Sequence, residues 1–317
     1  MTDTPLRWSG RPYHSLDHYL KNRFGEKVYK VSLDGGFTCP NRDGTLGTDG
    51  CIFCSEGGSG DFASDRSLSI TDQITEGIRL IRRYKNTGSR YIAYFQAFTG
   101  TYDSPERLRR LYRESINHPD VVMLSIATRP DCLEPEILDL LHECSQIKPV
   151  LVELGLQTIH QKSITYIRRG YPNSVYERAV SDCHHAGLEV VTHVIAGLPG
   201  ESKEDFLATV NYATDCQTDG IKLQLLHVLA GTDLGRQYEK EPFPVLSMEE
   251  YLDWITDALC YLPPEVVIHR LTGDGPKDLL LAPLWSAAKR EVLNRFHHRM
   301  KEENLWQSKY RSTKGSI

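Results

Sequence analysis

Short runs of β-branched and apolar residues alternate along the chain with stretches of helical period. The runs lie near 28–33, 91–95, 121–127, 150–156, 189–196, 221–228 and 266–271. Their length and composition predict buried strands. Between two of them Ile74, Ile78 and Ile81 recur at i, i+4 and i+7. A later stretch opens at Asn173, closes at Gly187 and places Val175, Ala179, Cys183 and Ala186 on one face. Ser104-Pro105 reads as a cap followed by proline at the first helical position. Ser202-x-x-Asp205 and Ser247-x-x-Glu250 read as capping boxes. Each crossover is too long for a hairpin, so the strands are expected to run parallel in an α/β fold. A barrel-like (β/α) sheet and an open doubly wound sheet both satisfy this pattern. Both gather ligands at the carboxyl ends of the strands.

Those ends carry the unusual residues. The first strand leads into Asp34-Gly35-Gly36-Phe37-Thr38-Cys39-Pro40-Asn41-Arg42, the second into Gln96-Ala97-Phe98-Thr99, and the third into Thr128-Arg129-Pro130-Asp131. The fourth carries Glu153, Gly155 and Gln157, which a period of two puts on one face. The fifth ends in Gly197-Leu198-Pro199-Gly200-Glu201, the sixth carries Gln224 and His227, and the seventh leads to Thr272-Gly273-Asp274-Gly275. Polar loops alone explain the glycines. They explain less well why three of the eight cysteines crowd into one of them.

Composition narrows the class without naming the chemistry. The chain has 317 residues, 25% charged and 40% hydrophobic, with a net charge of −5, ordinary for a globular protein. No apolar run approaches the ~18 residues of a membrane helix, and residues 1–11 hold no apolar signal core, so a cytoplasmic location is expected. Eight cysteines in that compartment do not form a disulfide framework. Cys132, Cys144, Cys183, Cys216 and Cys260 read as small buried hydrophobes.

Cys39-x11-Cys51-x2-Cys54 is the strongest chemical signal. Two cysteines two residues apart can turn both sulfurs to one metal, and the glycines between 44 and 50 let the chain fold back with the third. A structural zinc site wants four ligands, and His14 or His18 would complete one. A [4Fe–4S] cluster on three cysteines leaves one iron free for a substrate or cofactor. Spacing leaves the two nearly even; the position at a strand end favours the cluster.

The loop Cys39-Pro40-Asn41-Arg42-Asp43-Gly44, with Gly50-Cys51-Ile52-Phe53-Cys54, resembles the cysteine loop of the radical S-adenosylmethionine (SAM) enzymes. The likeness is to the YhcC/YtqA branch, related to the Elongator catalytic subunit. It continues through residues 94–99, 152–157, Arg169-Gly170, 197–201 and Ala282-Pro283-Leu284-Trp285. The resemblance implies a partial (β/α)6 TIM barrel. It also implies a [4Fe–4S] cluster on Cys39, Cys51 and Cys54, whose electron cleaves SAM to a 5′-deoxyadenosyl radical. The Gly-Gly-Glu motif of many such enzymes is absent, and Gln96 and Thr99 stand in its place. The SAM contacts implied are Gln96, Thr99, Glu153, Gln157, Arg169 for the carboxylate, and Gly197 and Leu198 for adenine. For Glu153 an internal salt bridge is the alternative; for Gly197 and Leu198, a plain strand-to-helix turn. His193, Gln224 and His227 are weaker candidates for the substrate side.

The resulting division is an N-terminal extension (1–27), a core (28–285) and a helical C-terminal extension (286–317). The last has eight basic and three acidic residues, a balance of +5, which leaves −10 for the remainder. Val292, Phe296 and Met300 read as an inward face, while Trp306 and Tyr310 among the charges suggest a surface that stacks bases. Arginines at 79, 82, 83, 109, 110 and 113 offer a second basic face. The resemblance implies a role in wobble-uridine modification, with tRNA as the partner and a flavodoxin or ferredoxin as electron donor. A radical SAM enzyme acting on a small metabolite and a non-catalytic, zinc-stabilised nucleic-acid-binding protein are the competing expectations.

Overall fold

The structure, a computed structural model, describes residues 5–58, 63–273 and 275–311. Its strands are β1 (Tyr29–Leu33), β2 (Tyr91–Phe95), β3 (Val121–Thr128), β4 (Val150–Gln157), β5 (Glu189–Ala196), β6 (Gly220–Leu225), β7 (Val228–Leu229), β8 (Val267–Arg270) and β9 (Leu280–Ala282). The α-helices are α1 (Leu16–Phe24), α2 (Ile70–Tyr84), α3 (Pro105–Asn117), α4 (Pro135–Ser145), α5 (Gln161–Tyr166), α6 (Asn173–His185), α7 (Lys203–Asp215), α8 (Asp233–Lys240), α9 (Met248–Tyr261) and α10 (Lys289–Glu302).

Seven strands form one sheet in the order β1-β2-β3-β4-β5-β6-β8, and β7 and β9 form a separate pair. The pairings β1·β2, β2·β3, β3·β4 and β6·β8 are parallel. Helices cover such strands, so their sequences are nearly continuous apolar runs. All five residues of β2 are buried. Val31 and Leu33 of β1 are buried, as are Ile70, Ile74 and Ile78 on one face of α2. The expected sixth strand divides in two. The Leu226 N–H turns to the Ala196 carbonyl at 2.9 Å, and β7 then pairs antiparallel with β9.

Local signals set the helix starts. Ser69, Ser104, Ser202, Thr232 and Ser247 each accept a hydrogen bond from a first-turn N–H, and Ser202/Asp205 and Ser247/Glu250 close full capping boxes. The helix at 173–185 starts after Pro172 and buries Tyr176, Ala179, Val180 and Cys183.

The chain divides into two compact units: one comprises Leu20–Gly155 and Gly170–Val191, the other the remaining described residues. In the second, α10 buries Val292, Phe296 and Met300. The segment after it is a clasp. Gln307 is fully buried, donates to the carbonyls of Pro263 and Val266 at 2.5 and 2.9 Å, and accepts from the His14 N–H at 2.8 Å. The N–H groups of Ser308 and Tyr310 bond the last turn of α9. Trp306 is 4% exposed. The expected base-stacking surface is thus corrected at Trp306, whose ring faces the interior because burial of a large apolar ring outweighs its charged neighbours. The second basic face is neutralised in part: Arg79 pairs with Glu76, and Arg109 and Arg113 share Glu143. No described helix is long and apolar enough to cross a membrane.

Candidate metal and cofactor site

The loop after β1 is fixed by its own backbone. The N–H groups of Arg42 and Asp43 bond the Cys39 carbonyl, Leu46 N–H bonds Pro40, Gly50 N–H bonds Asn41, and Cys54 N–H bonds Cys51 at 3.0 Å. Gly44 and Gly50 have φ of 94° and 74°, conformations that a side chain would strain. Cys39, Cys51 and Cys54 are all half-buried. The Asn41 amide donates to Cys51 Sγ at 3.4 Å. Arg42 donates to the carbonyls of Cys54 and Ser55 at 3.3 and 2.6 Å and lies over the Phe98 ring.

A second cation supports this loop from the end of β3. Arg129 is 8% exposed, bonds both oxygens of Asp131 at 2.9 and 2.7 Å, and lies 4.9 Å above the Tyr171 ring. Burial works against its charge, and Asp131 more than compensates, so the guanidinium stays protonated. Gly170 has φ 87°, and a Cβ there would meet Asn41 Oδ1 at 3.1 Å and Arg129 Nη2 at 3.2 Å. The chain at Gly170 therefore approaches this loop in a way only glycine allows.

The donor set fits a thiophilic metal. The Cys51 thiol is pushed well up, first by its hydrogen bond with Cys54 and then by burial. Two thiols that oppose each other's ionisation are relieved when a soft metal replaces their protons. Among the described residues no three His, Cys, Asp or Glu side chains close around a single point. The two histidines proposed as a fourth ligand are engaged elsewhere: His14 Nδ1 with the Pro264 carbonyl at 3.2 Å, and His18 Nδ1 with Ser9 Oγ at 2.8 Å. Three thiols with no fourth donor at His14 or His18 among the described residues match a three-cysteine cluster better than a closed zinc site.

The other expected site residues fall into three settings. Ser32 Oγ donates to Gln96 Oε1 at 3.4 Å. Thr99 is buried, its N–H on the Thr38 carbonyl at 3.2 Å, and Phe98 beside it takes φ 56°. Glu153 takes the alternative given for it, an internal salt bridge: it is 1% exposed, and its Oε1 accepts from Lys30 Nζ and from Ser125 Oγ. The Lys30 ammonium also lies 4.4 Å over the Tyr94 ring. Burial demands a partner for the carboxylate, and Lys30 supplies it from within the chain.

Gln157 has φ 65°, so it leaves the strand repeat that would have aligned it with Glu153 and Gly155. Arg169 is 2% exposed, and its Nη1 donates to the carbonyls of Leu156 and Thr158 at 2.8 and 2.6 Å. Gly197 has φ 82°, and a Cβ on it would lie 3.0 Å from Leu246. The Leu198 carbonyl accepts from the Glu201 N–H at 3.0 Å. That pair therefore also serves the plain turn. Glu201 accepts from Thr158 Oγ1 at 2.6 Å, and burial raises its pKa. Gln224 Nε2 donates to His193 Nδ1 at 3.2 Å. Asp274 lies outside the described residues.

Residues 39–213 match the family model described as the radical SAM superfamily, and residues 218–302 match the radical SAM C-terminal domain. The chain belongs to the radical SAM superfamily, in its YhcC/YtqA branch. It is 41% identical to YtqA of Bacillus subtilis over 313 residues, 98% of this chain and 97% of that protein. It is 28% identical over 164 residues, 50% of this chain and 30% of that protein, to the tRNA uridine(34) acetyltransferase of Methanocaldococcus jannaschii. Among solved structures, the Elp3 of Methanocaldococcus infernus with an N-terminal deletion superposes with a TM-score of 0.67 at 18% identity. That match covers 88% of this chain and 64% of the other, under two thirds of its length. It shows the fold, the partial barrel of the superfamily. The protein is a radical SAM enzyme, and its cofactors are a [4Fe–4S] cluster and SAM.

Proposed function

We propose that the chain cleaves SAM reductively and uses the product radical to modify the wobble uridine of tRNA. What the bound cluster supplies is the single electron that splits SAM into methionine and a 5′-deoxyadenosyl radical. Everything else is the work of the chain. Cys39, Cys51 and Cys54 hold the cluster on a loop whose backbone is already fixed. Gln96, Thr99, Gln157, Gly197 and Leu198, at or beside strand ends, bind SAM. Arg169, its guanidinium oriented by the carbonyls of Leu156 and Thr158, takes the SAM carboxylate. A flavodoxin or ferredoxin delivers the electron.

The observation that carries the tRNA part is the likeness of half the chain to an enzyme named for uridine 34 of tRNA. Anaerobic protein loaded with iron and sulfide tests it, incubated with SAM, dithionite and tRNA. Release of 5′-deoxyadenosine should rise when tRNA is added, and nucleoside analysis should find uridine 34 altered. Unchanged tRNA with no stimulation would reject tRNA as substrate. A colourless protein holding stoichiometric zinc would reject the cluster assignment.

A further inference from the structure

A cavity of about 740 Å3 lies between the loop after β8 and the first turns of α10. Among the described residues its charged lining is mostly cationic: Lys277, Lys289, Arg290 and Arg295 against Glu291. Arg295 is engaged, with Glu249 at 2.6 Å and Glu291 at 3.7 Å. Lys277 and Arg290 are exposed and make no ion pair among the described residues. Elsewhere Arg107, Arg168, Arg236 and Arg299 each meet a carboxylate.

The helix adds to this field. Ala288 precedes α10 without a side-chain cap, and Glu291 is the one acidic residue of the first turn. The cavity is also placed for substrate. Gly273 and Gly275 follow the carboxyl end of β8, the end at which this fold gathers its ligands. The aromatic clasp at 305–307, by contrast, is buried and offers nothing to an anion.

We propose that this cavity binds phosphate groups of the substrate. Resting on the tRNA reading above, these are phosphodiesters of an RNA strand, held by the Arg290 fork and the Lys277 ammonium. Its volume suits one or two nucleotide units rather than a lone ion.

The test uses full-length, cluster-loaded protein, with tRNA and tripolyphosphate as probes at several salt concentrations. It compares wild type with Lys277→Ala/Arg290→Ala and with a charge-matched control away from both basic faces, Lys162→Ala/Arg178→Ala. Visible absorbance reports whether each variant still folds around its cluster. For the cavity variant, tRNA affinity should fall about tenfold, and the slope of log affinity against log salt should flatten by about 1.5, from ~0.7–0.9 per lost phosphate contact. Tripolyphosphate affinity should fall with it, and the control should match wild type. If wild type binds tRNA and the cavity variant keeps its affinity and slope, the cavity assignment is wrong and the tRNA reading stands. If wild type binds only tripolyphosphate and the cavity variant loses it, the tRNA reading falls and the phosphate cavity stands. Wild type that binds neither probe overturns the cavity.

Discussion

The cysteine loop and the cavity beside α10 both follow parallel strands, yet they treat positive charge in opposite ways. Around the loop the cations are turned inward. Arg42 holds the carbonyls of Cys54 and Ser55 and covers Phe98; Arg129 holds Asp131 and covers Tyr171. Beside α10, Lys277 and Arg290 are exposed and make no ion pair among the described residues. The difference follows from the task of each region. Thiolates that must accept a metal need a fixed, partly dry backbone, so arginine serves there as a brace. A surface that attracts a polyanion needs unneutralised charge facing water.

The largest expected effect separates the two regions at once. Cys51→Ser should abolish cluster retention and SAM cleavage, because a hydroxyl does not replace a thiolate as an iron ligand. Its tRNA affinity should stay within about twofold of wild type, since Cys51 makes none of the phosphate contacts assigned to the cavity. Iron analysis and a binding titration read both quantities. Loss of tRNA binding in this variant would show that the two regions are not independent.

Next is Trp306→Ala. If the C-terminal segment is a clasp, removing a ring that is 4% exposed should cost about 3–5 kcal/mol of unfolding free energy. Denaturant titration measures it, and tRNA affinity of the folded protein should hardly change. A variant as stable as wild type with weakened tRNA binding would return Trp306 to the base-stacking role.

The buried pair gives the third effect. Lys30→Met removes the cation facing the Glu153 carboxylate and leaves the Ser125 hydroxyl; the Glu153 side chain is fully buried while that of Lys30 is 19% exposed. Breaking such a pair from one side should cost about 3 kcal/mol, the low end for a buried salt bridge. Lys30→Met/Glu153→Gln should recover part of that loss. Two single changes that simply add would mean the pair is not coupled.

Much of the fold was legible because parallel strands covered by helices on their faces must be nearly continuous apolar runs, as in Tyr91–Phe95. Capping boxes are equally local: Ser202 and Asp205 declare α7 three residues apart. The cysteines were legible because metal ligation imposes short spacing. What was not legible depended on distance or backbone twist. Lys30 meets Glu153 across 123 positions, and no period links them. Phe98 and Gln157 take positive φ, which composition does not reveal because neither is glycine. Trp306 looks exposed among charged neighbours until Gln307 ties its segment to Pro263 and Val266.

The smallest expected effect concerns Glu201, at the end of the Gly-Leu-Pro-Gly-Glu turn. Burial raises its pKa above the ordinary 4.5, against the opposing hydrogen bonds of Ser163 and Thr158. A carboxyl raised on folding prefers its proton in the folded state. Its contribution to stability is therefore fully present below pH 4.5 and is lost as pH climbs through the raised value. Glu201→Gln keeps an acceptor for Thr158 Oγ1 and removes the charge. The variant should match wild type near pH 4 and gain on it steadily toward pH 7, a trend read from thermal midpoints across that range. At this turn the basic group that draws the carboxyl toward its charged form is His160, and it does so weakly, whereas beside the cysteine loop Asp131 is paired with a guanidinium, that of Arg129. Parallel pH profiles for the two proteins would show that the Glu201 carboxylate is solvated after all, and that the contrast with the braced loop stops short of this turn.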